Sequence, residues 1–186
     1  MKKFIILVGF LVFISTSFCF AQEIKTQDSI FVDIGLELNY SLVNNDAYIS
    51  PNLGLAFLLR ESIMADVSFG FETRSINYTG IQKDENKYFT IDLLGKYFLG
   101  DNIWVGAGFG YAMFLGSTTV NATPTTPGEL HPDMLRVLLS TGYFSRILEG
   151  VYLDPAFLIR FNLPTEESDS FDFTLGILMT LSFGIS

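Results

Sequence analysis

The stretch IFVDIGLELNY, residues 30–40, alternates at every step. Ile30, Val32, Ile34, Leu36, Leu38 and Tyr40 occupy one face of an extended chain, and Phe31, Asp33, Gly35, Glu37 and Asn39 the other. Side chains along a strand point to opposite faces with a period of two, so the segment reads as a strand with one apolar face. Such a face needs cover, and the rest of the chain decides what covers it.

The pattern recurs without any helical period. Eight strands are expected near 29–41, 49–59, 63–74, 88–99, 103–116, 134–146, 151–163 and 171–185. Most exceed the usual soluble strand of about 5–6 residues and match the roughly 9–11 that a tilted strand needs to cross a bilayer. Eleven charged residues fall inside these strands: Asp33, Glu37, Asp66, Glu72, Arg74, Asp92, Lys96, Arg136, Asp154, Arg160 and Asp172. All lie opposite the apolar set, which random placement would achieve about once in two thousand trials, so the two faces meet different surroundings.

A closed barrel can turn its apolar face inward around a ligand or outward toward lipid. Volume favours lipid. The polar face carries Gly35, Gly54, Gly70, Gly106, Gly108, Gly110, Gly142, Gly176 and Gly184. Eight strands enclose just enough room for side chains, so small residues with a few charged ones would fill the bore, whereas the Phe- and Leu-rich face would overfill it. Aromatic positions agree: Tyr40, Phe71, Phe89, Tyr111, Phe161 and Phe171 fall toward one rim, and Phe57, Tyr97, Tyr143 and Phe183 toward the other, as expected of membrane interfaces. In lipid every backbone N–H and C=O needs an internal partner, so strands span only as a closed barrel. Pro51 and Pro155 each remove a ladder donor and are expected near strand ends or bulges.

Composition points the same way. Charged residues make up 17% of the chain, against about 25% in soluble domains, yet the region after residue 21 holds no apolar run of about 18 residues. The chain opens MKKFIILVGFLVFISTSFCFAQ. Lys2 and Lys3, an apolar core over 4–14 too short to span a bilayer, and a small-residue site at Ala21 make residues 1–21 a secretory signal peptide. Phe18 before Cys19 does not suit a lipobox. The mature domain is then 22–186. It keeps no cysteine, which excludes disulfide and thiol chemistry, and its nine bases against twenty acids give a net charge of −11, which excludes nucleic acid as a partner.

Three connections are short, at 60–62, 100–102 and 147–150, and four are longer, at 42–48, 75–87, 117–133 and 164–170. Short and long alternate throughout, which fits eight strands with periplasmic turns and extracellular loops. The signal peptide, the eight amphipathic strands and the last strand FDFTLGILMTLSFGIS resemble the small outer-membrane β-barrels of Gram-negative bacteria, the OmpA/OmpX-type or porin-family barrels. The resemblance covers the whole mature chain and rests on pattern. It implies an all-β, eight-stranded antiparallel up-and-down barrel, residence among outer-membrane lipids and lipopolysaccharide, and insertion by the barrel-assembly machinery. That machinery reads an aromatic residue ending the last strand; here Phe183 is displaced from the end.

No catalytic, cofactor or metal motif is expected. The eleven inward charges read as an ion-pair network that fills the bore and fixes register, because buried charges must be paired; the alternative is a charge-lined ion path. Arg146 stands at the rim. His131, the lone histidine, could form a hydrolytic site with Asp133 and Ser117 or Ser140, but no spacing demands it. Asp84, Glu85, Glu166, Glu167 and Asp169 lack ordered cation-ligand spacing. The sequons at Asn77 and Asn121 are short enough to recur by chance. The loop STTVNATPTTPGELHPD is the expected place for a surface contact.

Overall fold

A computed structural model describes residues 29–43, 46–78, 82–120, 133–164 and 172–185. The expected signal peptide, His131, Asn121, Phe171 and the acids Glu166, Glu167 and Asp169 lie outside the described residues. The strands are β1 (Ile30–Ser41), β2 (Asp46–Arg60), β3 (Ile63–Tyr78), β4 (Gln82–Phe98), β5 (Ile103–Val120), β6 (Met134–Tyr143), β7 (Ser145–Leu148), β8 (Val151–Pro164) and β9 (Asp172–Ile185). Every neighbouring pair is antiparallel, and β1 pairs with β9 from Ile30–Ile185 to Ser41–Thr174, so the sheet closes on itself. β6 and β7 both pair with β8 and together make the sixth of eight walls.

The expected sixth strand, 134–146, is therefore interrupted. The cause lies across the ladder. Gly142 pairs with Ala156 and Ser145 with Leu153, which leaves Pro155 opposite Tyr143 with no N–H to give. On the other side the Phe144 N–H still donates to the Asn102 carbonyl at 2.8 Å, one step beyond the Ile103–Tyr143 pair of the β5–β6 ladder. The chain then turns through Glu149 and Gly150, whose φ of +67° suits glycine. Pro51 departs from expectation differently. It sits well inside β2, opposite Leu36 of β1, but the β2–β3 ladder begins only at Asn52–Gly70, next to it.

Three of the long connections are shorter than the sequence suggests, the first because β2 already begins at Asp46, opposite Ser41 of β1. Residues 75–87 are largely strand, because β3 and β4 stay paired from Ile63–Tyr97 up to Tyr78–Gln82. β5 likewise continues to Val120, past a bulge where Lys87 pairs with Gly116 and Tyr88 with Phe114. Gly116 there has φ +148°. Above Gly70 of β3 and Ala112 of β5, strands β3, β4 and β5 pair only with one another among the described residues. They form a three-stranded flap with about 25 Å of strand.

Candidate functional site

The opening alternation divides outside from inside. Ile34 and Leu36 are each 54% exposed and Leu38 49%, while Asp33, Glu37 and Asn39 are 4% exposed or less. The same parity exposes Leu53, Phe71, Phe109, Leu135 and Val137. From Ile30 to Tyr40 an outward row at a strand tilt of about 40° rises about 26 Å, close to the roughly 25 Å apolar band that a bilayer imposes.

Inside, the charges form a linear array. Asp172 accepts from Arg74 Nη1 at 3.0 Å, and Arg74 Nη2 donates to Glu72 Oε2 at 2.9 Å. Glu72 Oε2 accepts from Arg136 Nη2 at 2.6 Å, and Arg136 Nη1 lies 3.4 Å from Asp92 Oδ2. Arg160 lies 3.6 Å from the same Asp92 oxygen and forks onto both carboxylate oxygens of Glu37. Acid and base alternate along these seven residues. A second group is separate: Lys96 donates to Asp154 at 2.7 Å and Asp66 at 2.9 Å. Asp33 is 4% exposed and has no base within ion-pair distance among the described residues. Arg146 is at the lower rim, where its Nε donates to the Leu148 carbonyl at 3.3 Å.

The bore is not filled by small and charged residues alone, as volume suggested. At the short-turn end Phe31, Ala56, Met64, Trp104, Phe144, Tyr152, Ala156 and Leu158 form an apolar plug. Phe144 stacks on Tyr152 at 4.9 Å and Phe31 meets both rings edge-on. Trp104 donates from Nε1 to Asp154 at 2.8 Å and lies under the Lys96 ammonium, 4.7 Å from its ring centre. At the other end the Arg74 guanidinium sits 5.0 Å from the Tyr48 ring and 5.4 Å from that of Tyr88. Tyr143, expected at the lower lipid interface, is 8% exposed, with its hydroxyl 3.0 Å from the Asn102 amide. Parity did mark Trp104 and Tyr88 as inward, since each shares a face with residues expected inside, whereas Tyr48 fell in the expected connection 42–48 and joins the inward face because β2 begins at Asp46. What hid them was treating the glycines as filler rather than as room for a neighbour. A Cβ on Gly142 would lie 2.5 Å from the Trp104 ring.

Between the two seals is a cavity of about 40 Å³ bordered by Asp33, Glu37, Asp66, Asp92, Arg160, Ser50, Asn52, Ser68, Thr90 and Thr180, and by Leu94, Leu138, Leu158 and Leu178. At about 10–15 Å³ of such space per water it has room for about three waters.

No family profile and no curated protein sequence matches the chain. Solved structures do match. The attachment invasion locus protein Ail of Yersinia pestis is similar over 84% of this chain and 99% of its own, with 10% identity and a TM-score of 0.50. Neisserial surface protein A is similar over 86% of this chain and 98% of its own, with 6% identity and a TM-score of 0.51. The chain has the fold of the small eight-stranded outer-membrane β-barrels. The outer membrane enzyme PagL is also similar, over 82% of this chain and 99% of its own, with 13% identity and a TM-score of 0.45.

In an outer-membrane barrel the short turns face the periplasm and the long connections the exterior. Here the apolar plug closes the short-turn end of the bore, the Tyr48–Arg74–Tyr88 sandwich closes the opposite end, and the flap rises from that opposite end. At the base of the flap Asp133 accepts from the Tyr111 hydroxyl and from the Phe114 N–H at 2.8 Å. These donors hold its carboxyl below the usual carboxylate range and occupy one N–H of the β5 edge. Ser140, one of the serines considered for a hydrolytic site, donates to the Phe157 carbonyl at 2.9 Å. Among the described residues no three His, Cys, Asp or Glu side chains converge to hold a metal on their own.

Proposed function

We propose that this chain is an integral outer-membrane barrel with a structural or surface-interaction role, carried by the β3–β4–β5 flap and the extracellular loops. The observation supporting this reading is a bore stopped at both ends, by the Phe31–Phe144–Tyr152 plug below and by Arg74 between two tyrosines above. Eight strands leave no aqueous bore to open without moving one of these seals. The partners follow from location: lipopolysaccharide and outer-membrane lipids around the belt, and the barrel-assembly machinery during insertion. Purified protein in planar bilayers is expected to give no steady single-channel steps; reproducible steps at moderate voltage would overturn the reading.

A second reading, a narrow ion path, draws support from the alternating array and the polar cavity, which place charge along most of the bore. Channel steps altered by Arg136→Ala would favour it. Lipid A modification rests on His131 alone. A mass shift in lipid A on expression, abolished by His131→Ala, would establish it.

A further inference from the structure

The wall of the barrel is not laddered along its whole height. β2 and β3 pair from Arg60–Ile63 to Asn52–Gly70 and no further among the described residues, although β2 continues to Asp46 and β3 to Tyr78. The same register would match Pro51 with Phe71, Ser50 with Glu72, Ile49 with Thr73 and Tyr48 with Arg74. The proline is the cause. In an antiparallel sheet a residue turns its N–H and C=O toward the same neighbour, and successive residues alternate. The Pro51 carbonyl lies 3.2 Å from where a Cβ on Gly70 would be, so its backbone faces β3. The N–H that Pro51 lacks is therefore the one that would donate to the Phe71 carbonyl. A side-chain contact spans the seam instead: the Arg74 guanidinium of β3 lies 5.0 Å from the Tyr48 ring centre of β2. At the foot of the seam Ser50 and Asn52 of β2 and Ser68 of β3 line the central cavity.

We propose that the β2–β3 seam parts, and that the central cavity is reached sideways through it from the membrane surface at the flap end. A lipid-facing wall is held by its backbone ladder, so it parts at least cost where the ladder is missing. Phe71 falls in the aromatic rim at that end, which sets the seam beside the polar headgroups, where water and headgroup oxygens take up freed backbone groups. Both axial ways are stopped, one by the plug and the other by Arg74 between Tyr48 and Tyr88. The Tyr48–Arg74 contact is then a latch on the seam as well as part of a seal. Hydroxyls, an amide and charged groups on the lining suit a guest of a few atoms with hydrogen-bonding groups, water above all. With the plug in place the seam gives access to the cavity without conduction, so the inference rests on the structural reading and adds a moving part to it.

The test is thiol labelling. Apart from Cys19 of the expected signal peptide the chain has no cysteine, so Ser50→Cys on β2 and Thr180→Cys on β9, both buried and both on the cavity, report access to it. Each variant in lipid vesicles is exposed to methyl methanethiosulfonate, which is small and uncharged and reaches both membrane surfaces, and is followed by mass. Labelling is expected at both positions. Pro51→Val returns the missing N–H and is expected to slow it about five- to tenfold, the weight of one ordinary hydrogen bond on an opening equilibrium. Tyr88→Ala loosens the axial seal without touching the seam and is expected to leave the rates unchanged. Ala112→Cys, buried away from the cavity, reports global unfolding, and its rate is expected to ignore Pro51→Val. The proposal is overturned by no labelling at either cavity position, or by rates indifferent to Pro51→Val. It is also overturned by faster labelling in Tyr88→Ala, which means axial entry, or by equal slowing at Ala112→Cys, which means a global effect. If one cavity cysteine prevents folding the other decides, and Pro51→Ala stands in for Pro51→Val. Channel steps in planar bilayers bear on the structural reading and are read separately from these rates.

Discussion

At the scale of single residues, the bore is a set of large side chains seated against glycines. Gly142→Ala would place a Cβ 2.5–2.8 Å from the Trp104 indole. It is expected to lower the stability of the barrel by about 1–3 kcal/mol, measured by urea unfolding in lipid vesicles, whereas Gly100→Ala, with nothing within 4 Å, is expected to cost far less. Arg136 is 1% exposed and joins Glu72 to Asp92. Arg136→Ala takes one of two bases from each acid, leaving Glu72 to Arg74 and Asp92 to the more distant Arg160, and is expected to cost about 3–5 kcal/mol in the same measurement. Arg160→Ala, which strands Glu37, should cost about as much, and Glu37→Gln combined with it should recover part of the loss. Unchanged unfolding in both arginine variants would contradict a paired network. Which residues are charged and inward was legible in the sequence, because a period of two leaves a charge no third direction. Their partners were not: Arg74 and Asp172 are 98 positions apart and meet only when the sheet closes.

At the scale of elements, two prolines and a glycine shape the walls. The alternation located every strand but not its end, since the ladder partner decides where a strand stops. Pro155 interrupts its neighbour at Phe144 rather than ending its own strand, a consequence that cannot be read without the register. The loop 75–87 was expected because its residues are polar, but polar residues pair as well as apolar ones above the membrane. Gly150 holds the last turn at φ +67° while its carbonyl accepts from the Gly184 N–H at 2.8 Å. Gly150→Ala is expected to cost about 1 kcal/mol through backbone strain alone. Along Phe71 to Tyr78, β3 has a partner only on the β4 side among the described residues. Amide exchange there is expected to alternate, slow at N–H groups bonded to β4 and fast at those facing the open edge. Uniform protection would mean that the edge is covered.

At the scale of the whole molecule, an apolar exterior and a charged interior reverse the arrangement of a soluble protein. The network contributes little while the chain is unfolded and its charges are hydrated, and most once the cylinder has closed around it. A closed barrel of this kind is expected to stay folded in detergent and to run faster on gels before boiling than after. Its lone tryptophan offers the most direct test of which face looks inward. Trp104 is fully buried in the plug, whereas Leu36 is 54% exposed on the belt. In vesicles of brominated phospholipid the native Trp104 fluorescence is expected to be barely quenched, and Leu36→Trp in a Trp104→Phe background strongly quenched. Strong quenching of Trp104 with none at position 36 would place the apolar face inside and contradict the account.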